Sequence, residues 1–261
     1  MSIPQAEIYS GKLFFNSVLP LFKEIALGTK LRKLFAGKNG IIQVSSFAGE
    51  EKWGTHFLLD QGKMTVKLGP HPAPTIELEF KSLMEFNDFF KGKSKKLPKI
   101  KGLKHLSLVV HTFRVLLKMA ALLGAAEPPA KPKEKALLVK LYFYLLSSGI
   151  SQLNKCDHPE VSAWARSSPD RVYAWSVDGY PELSAHIRVK AGKTKSSRGQ
   201  YTRSKPFFTM RFDTLDSALG ILLQKDDLLQ STAAEKLIME GAPEFGAQIG
   251  GFMMLVGEYA K

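Results

Sequence analysis

Pro74-Thr75-Ile76-Glu77-Leu78-Glu79-Phe80 alternates polar and apolar residues for the length of one strand, then passes at Lys81-Ser82-Leu83 into helical spacing. The same wording returns 132 residues later, where Pro206 opens Phe207-Phe208-Thr209-Met210-Arg211-Phe212 and Asp213-Thr214-Leu215 follows. Each copy reads strand, then helix. Farther along, the offset lengthens to 139, so that Gly102 corresponds to Gly241 at the start of the last helix of each half. A repeat of this length predicts two related domains.

Length and composition suit that division. Half of 261 residues is enough to bury a core without disulfides or metals, and the single Cys156 fits a reducing compartment. Against 24 Asp and Glu stand 37 Lys and Arg, a formal charge of +13 that points to an anionic partner or to solubility. The longest strongly apolar, uncharged run, 245–257, is shorter than the roughly 20 residues of a spanning helix, so a soluble chain is expected. The N-terminal stretch is broken by Asn16, Ser17 and Pro20 and carries no cleavage signal, and the C-terminus carries no peroxisomal address. Cytoplasm is the expected location.

Outward from the two strands, the first half reads as helical over 13–36, divided by Pro20 and Gly28, then as strands over 41–47, 55–59 and 63–68. Three prolines make 69–74 a loop. A helix follows at Leu83, Phe86, Phe89 and Phe90, and another covers 103–123. The second half reads as a helix over 137–153, strands over 171–177 and 183–190, a basic loop over 191–205, a strand over 207–212 and a helix over 215–223. The proline-rich stretch 127–132 is the expected linker between domains 1–126 and 133–261.

Specific wording then narrows the class. Phe208 to Asp213 leads into a helix, Lys225-Asp226-Asp227, Lys236-Leu237-Ile238-Met239-Glu240-Gly241 and a closing helix; the first half offers Phe89-Phe90-Lys91-Gly92-Lys93 and Pro98-Lys99-Ile100-Lys101-Gly102. This resembles the sterol carrier protein type 2 lipid-binding family, with its alternating strand, helix, Gly-Lys-like turn, second helix, Lys-x-x-Ile-x-Gly-like turn and terminal helix. The resemblance implies two tandem α+β domains, each a mixed β-sheet covered by helices and enclosing an apolar tunnel for a fatty acyl chain, sterol or other lipid. The seven residues missing between strand and final helix in the first half predict a shortened or absent intermediate helix there.

The closing helices share a stripe: Leu106, Val110, Phe113 and Leu117 correspond to Phe245, Ile249, Phe252 and Val256, and both helices are expected to dock by it. Core packing accounts for such stripes on periodicity alone; the resemblance turns them toward a ligand. The candidate ligand-lining residues are Phe86, Phe90, Leu106, Val110, Phe113 and Leu117, with Leu219, Phe245, Ile249, Phe252, Met253 and Val256 in the second half. The glycines of the last helix, Gly246, Gly250 and Gly251, suggest that room or close approach is wanted.

Cations form the second constellation. Lys93, Lys95 and Lys96, with Lys193, Lys195 and Arg198, are candidate contacts for an anionic membrane surface, against the alternative of a solvated face. Nucleic acid is disfavoured, because the lysine run has few interleaved aromatics, no helix-turn-helix or zinc-ligand spacing appears, and Lys outnumbers the Arg that reads bases. No cofactor or metal is expected: Ala191-Gly192-Lys193-Thr194 lacks the upstream glycine of a phosphate loop, and Cys156 and His158 have no second ligand pair. Trp53, Trp164 and Trp175 invite stacking, but Trp175 alternates with Tyr173 and Val177 as a core strand would. The expected activity is non-enzymatic binding or carriage of an apolar ligand. A scaffold with filled cores and a basic nucleic-acid binder are the alternatives.

Overall fold

The computed structural model describes residues 3–261; positions 1 and 2 of the expected first domain lie outside them. The chain forms two compact units, one running up to Ala121 and taking in Glu258–Lys261, the other Leu122–Gly257. The first unit thus ends earlier than the expected 126. Its elements are α1 (Gln5–Leu13), a π-helical turn (Phe14–Val18), α2 (Leu21–Gly28), α3 (Arg32–Phe35), β1 (Gly40–Ala48), β2 (Glu51–Asp60), β3 (Lys63–Leu68), β4 (Ile76–Phe80), α4 (Leu83–Phe90), β5 (Lys99–Lys101) and α5 (Leu106–Leu123). The second unit has α6 (Pro132–Lys155), α7 (Pro159–Ser167), β6 (Arg171–Val177), β7 (Ala185–Lys190), β8 (Lys193–Arg198), β9 (Phe208–Phe212), α8 (Leu215–Leu222), α9 (Leu228–Ala233), β10 (Leu237–Glu240) and α10 (Pro243–Ala260).

Each unit holds a five-stranded mixed sheet, and the two sheets have one topology: β3-β2-β1-β4-β5 and β8-β7-β6-β9-β10. In each, the middle strand pairs in parallel with the strand of the duplicated sequence, β1 with β4 and β6 with β9, while every other pairing is antiparallel. The α+β class expected from the sequence is the class observed. Because side chains alternate across a strand, the register decides both faces at once. Ile42 beside Ile76 and Val44 beside Leu78 build the helix-covered face of the first sheet; Tyr173 beside Phe208, Trp175 beside Met210 and Val177 beside Phe212 build that of the second. All ten of these side chains are buried.

Local chemistry recurs as well. Ser82 and Thr214 cap the helices after β4 and β9, accepting from the Glu85 and Ser217 N–H groups at 3.2 Å. Gln61-Gly62 and Ala191-Gly192 form two-residue hairpin turns with φ of 49° and 82°, and of 49° and 75°, the left-handed pair that a tight hairpin demands. His56 donates from Nδ1 to the Gly69 carbonyl at 2.8 Å, and His186 donates to the Gly199 carbonyl at 3.0 Å. Each histidine ties a strand to the loop returning toward the duplicated strand. No helix intervenes between α4 and β5, whereas α9 stands between α8 and β10.

Several expectations need correction. Residues 191–205 are not one loop, because Lys193–Arg198 is strand β8. Its side chains are polar, but its backbone pairs with β7, and Asn154 of α6 donates to Thr194 Oγ1 and to the Gly192 carbonyl, both at 3.1 Å. The turns expected at 98–102 and 236–241 contain edge strands β5 and β10. Pro132 belongs to α6 rather than to the linker, at the first helical turn where a missing N–H costs nothing. Among the described residues, two helices, Leu103–Leu123 and Pro132–Lys155, are long and apolar enough to cross a membrane by length and composition, although 245–257 is the longest uncharged apolar run. The second is mostly buried, as a core helix of a folded unit is.

Candidate functional site

In the second unit, α7 and α10 bring an aromatic cluster onto the helix-covered face of the sheet. Tyr173 of β6 meets Trp164 of α7 edge to face, with ring centroids 5.4 Å apart, and also touches Phe207, Phe208 and Phe245. Trp164 lies 5.1 Å from Phe252 of α10. Trp175, one pleat along from Tyr173, donates weakly from Nε1 to Met253 Sδ at 3.4 Å. Gly246 lets α10 approach closely, since a Cβ there would overlap Met239 Sδ and lie 3.2 Å from Phe208 Cζ.

Two donors in this cluster have no acceptor. Tyr173 is 1% exposed and Trp164 6% exposed, yet the Tyr173 hydroxyl and the Trp164 Nε1 hydrogen-bond nothing among the described residues. Buried polar atoms are nearly always paired, because leaving one unpaired costs about 1–3 kcal/mol. Toward solvent, Arg171 stacks over Phe207 at 3.9 Å and lies 5.0 Å from the Phe245 ring. Phe207 is 37% exposed. The arrangement is apolar in body, with two orphan donors within and one guanidinium at its rim.

The expected lining residues fall into distinct groups. Ile249, Phe252 and Val256 are buried on one face of α10, with Phe245 and Met253 half-buried beside them, so this helix docks by the expected stripe. Leu219 is buried in α8, which packs on α6. Phe86 stacks on Phe15 with centroids 4.0 Å apart and planes 2° from parallel, and Phe90 lies 4.8 Å from Phe86. The stripe of α5 is a correction: Leu106, Val110 and Leu117 are exposed and Phe113 is half-buried. The buried face there is Leu108, Val109, Thr112, Val115, Leu116, Met119 and Leu122. Both faces of α5 are apolar, so periodicity had no means of choosing between them.

The cations do not form one surface. Lys93 and Lys95 are exposed between α4 and β5, while Lys96 pairs with Glu85 at 2.5 Å. Lys193 and Lys195 stand directly opposite Lys190 and Arg188 on the face of the second sheet away from the helices. Asp170 offsets part of that charge through Arg188 at 2.6 Å and Lys190 at 3.3 Å. Arg198 is on the other face, over the Tyr144 ring.

A polar cluster escaped the sequence reading. On the face of the first sheet opposite Ile42 and Val44, Glu77 is 3% exposed and accepts from Gln43 and Ser45 at 2.7 Å, with Lys52 at 2.5 Å and Lys101 at 3.1 Å. Burial is the largest influence on its carboxyl and opposes ionisation. The hydrogen bonds from Lys52, Ser45, Gln43 and Lys101 outweigh it together and lower the pKa to about 2. The signal available was a pair of glutamates alternating with apolar residues in a strand too apolar to be at an open edge. Among the described residues, no group of three His, Cys, Asp or Glu side chains could hold a metal ion.

The class that these units define is an α+β domain with a five-stranded mixed sheet covered by helices. One similar solved structure is a conserved hypothetical protein, possibly sterol carrier protein, from Thermus Thermophilus, at 15% identity and a TM-score of 0.29 over 44% of this chain and 83% of that one. A crystal structure of sterol carrier protein 2 is similar at 17% identity and a TM-score of 0.28, over 42% of this chain and 92% of that one. The stereoselective inverting sec-alkylsulfatase from Pseudomonas sp. is similar at 13% identity and a TM-score of 0.27, over 58% of this chain and 28% of the enzyme. No family pattern matches the chain. No curated protein matches it either.

Proposed function

We propose that the protein is a tandem sterol-carrier-like lipid-binding protein that holds an apolar ligand non-covalently in its second unit, between α7, α10 and the sheet, and performs no chemistry on it. The observation that carries this reading is the pair of orphan donors, Tyr173 Oη and Trp164 Nε1, buried among aromatic rings. A ligand with an apolar body and a polar end bearing acceptor oxygens would satisfy them, and burial of each methylene would add about 0.8 kcal/mol. Phe245, Ile249, Phe252, Met253 and Val256 would line its apolar part. The common topology of the two sheets supports descent of both units from one design.

For the first unit the filled-core reading is favoured. Phe14, Phe15, Phe80, Phe86 and Phe90 form a continuous set of ring contacts, among them the parallel stack of Phe15 on Phe86. The ligand is expected in one unit only.

Organic extraction of the purified protein, followed by mass spectrometry and titration with a fluorescent fatty acid, tests the proposal. An apolar molecule with a carboxyl, carbonyl or hydroxyl group, bound at about one per chain, is the expected result. A protein that is empty after purification and binds no probe would overturn it.

A further inference from the structure

Helix α5 is seated in the protein by one apolar face and turns a second one to solvent. Leu103, in the turn that precedes it, is 60% exposed, Leu106 61%, Val110 41% and Leu117 68%, and with Phe113 they lie within a face about 100° wide. Exposed aliphatic side chains scattered singly need no explanation, but a stripe running the length of a helix does. The stretch of chain that carries it is of a single sign, although Lys96 pairs with Glu85 and Lys101 with Glu77 and Glu79. Residues 89–126 contain no aspartate or glutamate, and they carry Lys91, Lys93, Lys95, Lys96, Lys99, Lys101, Lys104, Arg114 and Lys118. Lys93, Lys95, Lys99, Lys104 and Arg114 are exposed, the last bordering the stripe one step around the helix from Val110.

Charge selects the occupant of this face. A second copy, meeting it about a two-fold axis, would set the cations of one stripe against those of the other, an arrangement that costs rather than stabilises. An anionic bilayer offers an apolar layer for the leucines and phosphates at the depth of the lysines, which is how a helix lying in the interface binds. Spanning is a different matter, because the opposite face of α5, from Leu108 to Leu122, is already buried in the protein.

We propose that α5 is a peripheral membrane-docking helix, lying flat in an anionic bilayer surface with Leu103, Leu106, Val110 and Leu117 inserted between the headgroups. This stands apart from the ligand site, and either can fail without the other.

The test is co-sedimentation of the full chain with vesicles of phosphatidylcholine, with and without phosphatidylglycerol. Binding is expected only with the anionic lipid and should weaken as salt rises. The Leu106→Gln/Leu117→Gln variant should lose about tenfold in vesicle partitioning, with its circular dichroism and melting temperature unchanged because both positions are exposed. Lys95→Gln/Lys99→Gln/Lys104→Gln should flatten the salt dependence. Absence of vesicle binding, equal binding to neutral vesicles, or full binding by the leucine variant would overturn the proposal. So would a dimer that the leucine variant dissociates, or a bound form that resists alkaline extraction.

Discussion

Glu79 and Arg211 stand at the same register position of the two sheets, beside Ser45 and Ser176, and carry opposite charges. Glu79 accepts from Lys52 at 2.7 Å and Lys101 at 2.5 Å, while Arg211 donates to Asp178 at 2.7 Å and Glu240 at 3.0 Å. The balance differs as well: in the first sheet Glu77 and Glu79 share Lys52 and Lys101, two anions with two cations, whereas in the second Arg211 alone stands between two anions.

Arg211→Glu would set three carboxylates together and is expected to destabilise the second unit by about 1 kcal/mol, a modest figure because these side chains are a third or more exposed and salt-screened. Adding Asp178→Lys and Glu240→Lys should restore the loss. Urea midpoints at low and high salt would check this; a triple reversal as unstable as the single change would mean that charge pairing is not the cause.

Glu77 has its folded pKa lowered to about 2 from 4.5. A carboxylate depressed on folding stabilises the fold above its unfolded pKa, and that stability is lost as pH falls through the folded value. The first unit should therefore weaken progressively as pH drops from about 4.5 toward 2. Glu77→Gln should cost roughly 2–3 kcal/mol at neutral pH, by leaving Lys52 and Lys101 with Glu79 alone, and should flatten this acid limb. Denaturation monitored across that pH range reads both effects.

Tyr173→Phe separates a ligand donor from a structural one. Removing a buried hydroxyl that has no partner should raise the stability of the ligand-free protein by about 1 kcal/mol. Loss of the same hydroxyl should weaken binding of a fatty-acid probe by about five- to tenfold. Thermal melts without ligand and calorimetric titration with it would show the two opposite changes. A fall in apo stability would place an acceptor beside Tyr173 and remove the main support for the site.

Gly246→Ala and Gly251→Ala test how α10 is seated. At Gly246 the added methyl would meet Met239 and Phe208, and a loss of about 1–3 kcal/mol is expected. At Gly251 nothing lies within 4 Å, so the better helix former should stabilise by about 0.5–1 kcal/mol. Chemical denaturation of the pair should give shifts of opposite sign.

Much of the architecture was legible in the chain because it is decided by neighbours in sequence. The alternation of 75–80 and 207–212 determined strands β4 and β9, Ser82 and Thr214 determined where the next helices begin, and Asp60-Gln61-Gly62 determined a hairpin. Strand β8 was not legible, since Lys193-Thr194-Lys195-Ser196-Ser197-Arg198 has no apolar phase and is held by backbone pairing to β7 and by Asn154 of a distant helix. Trp164 and Tyr173 were visible as residues, but their meeting with unpaired donors needed α7 folded onto β6. The closing helices mark the boundary most clearly. Sequence alone determined that both carry the apolar stripe of Leu106 or Phe245; only tertiary packing decided that α10 buries it and α5 exposes it, because α5 has a second apolar face and burial goes to whichever face finds a partner.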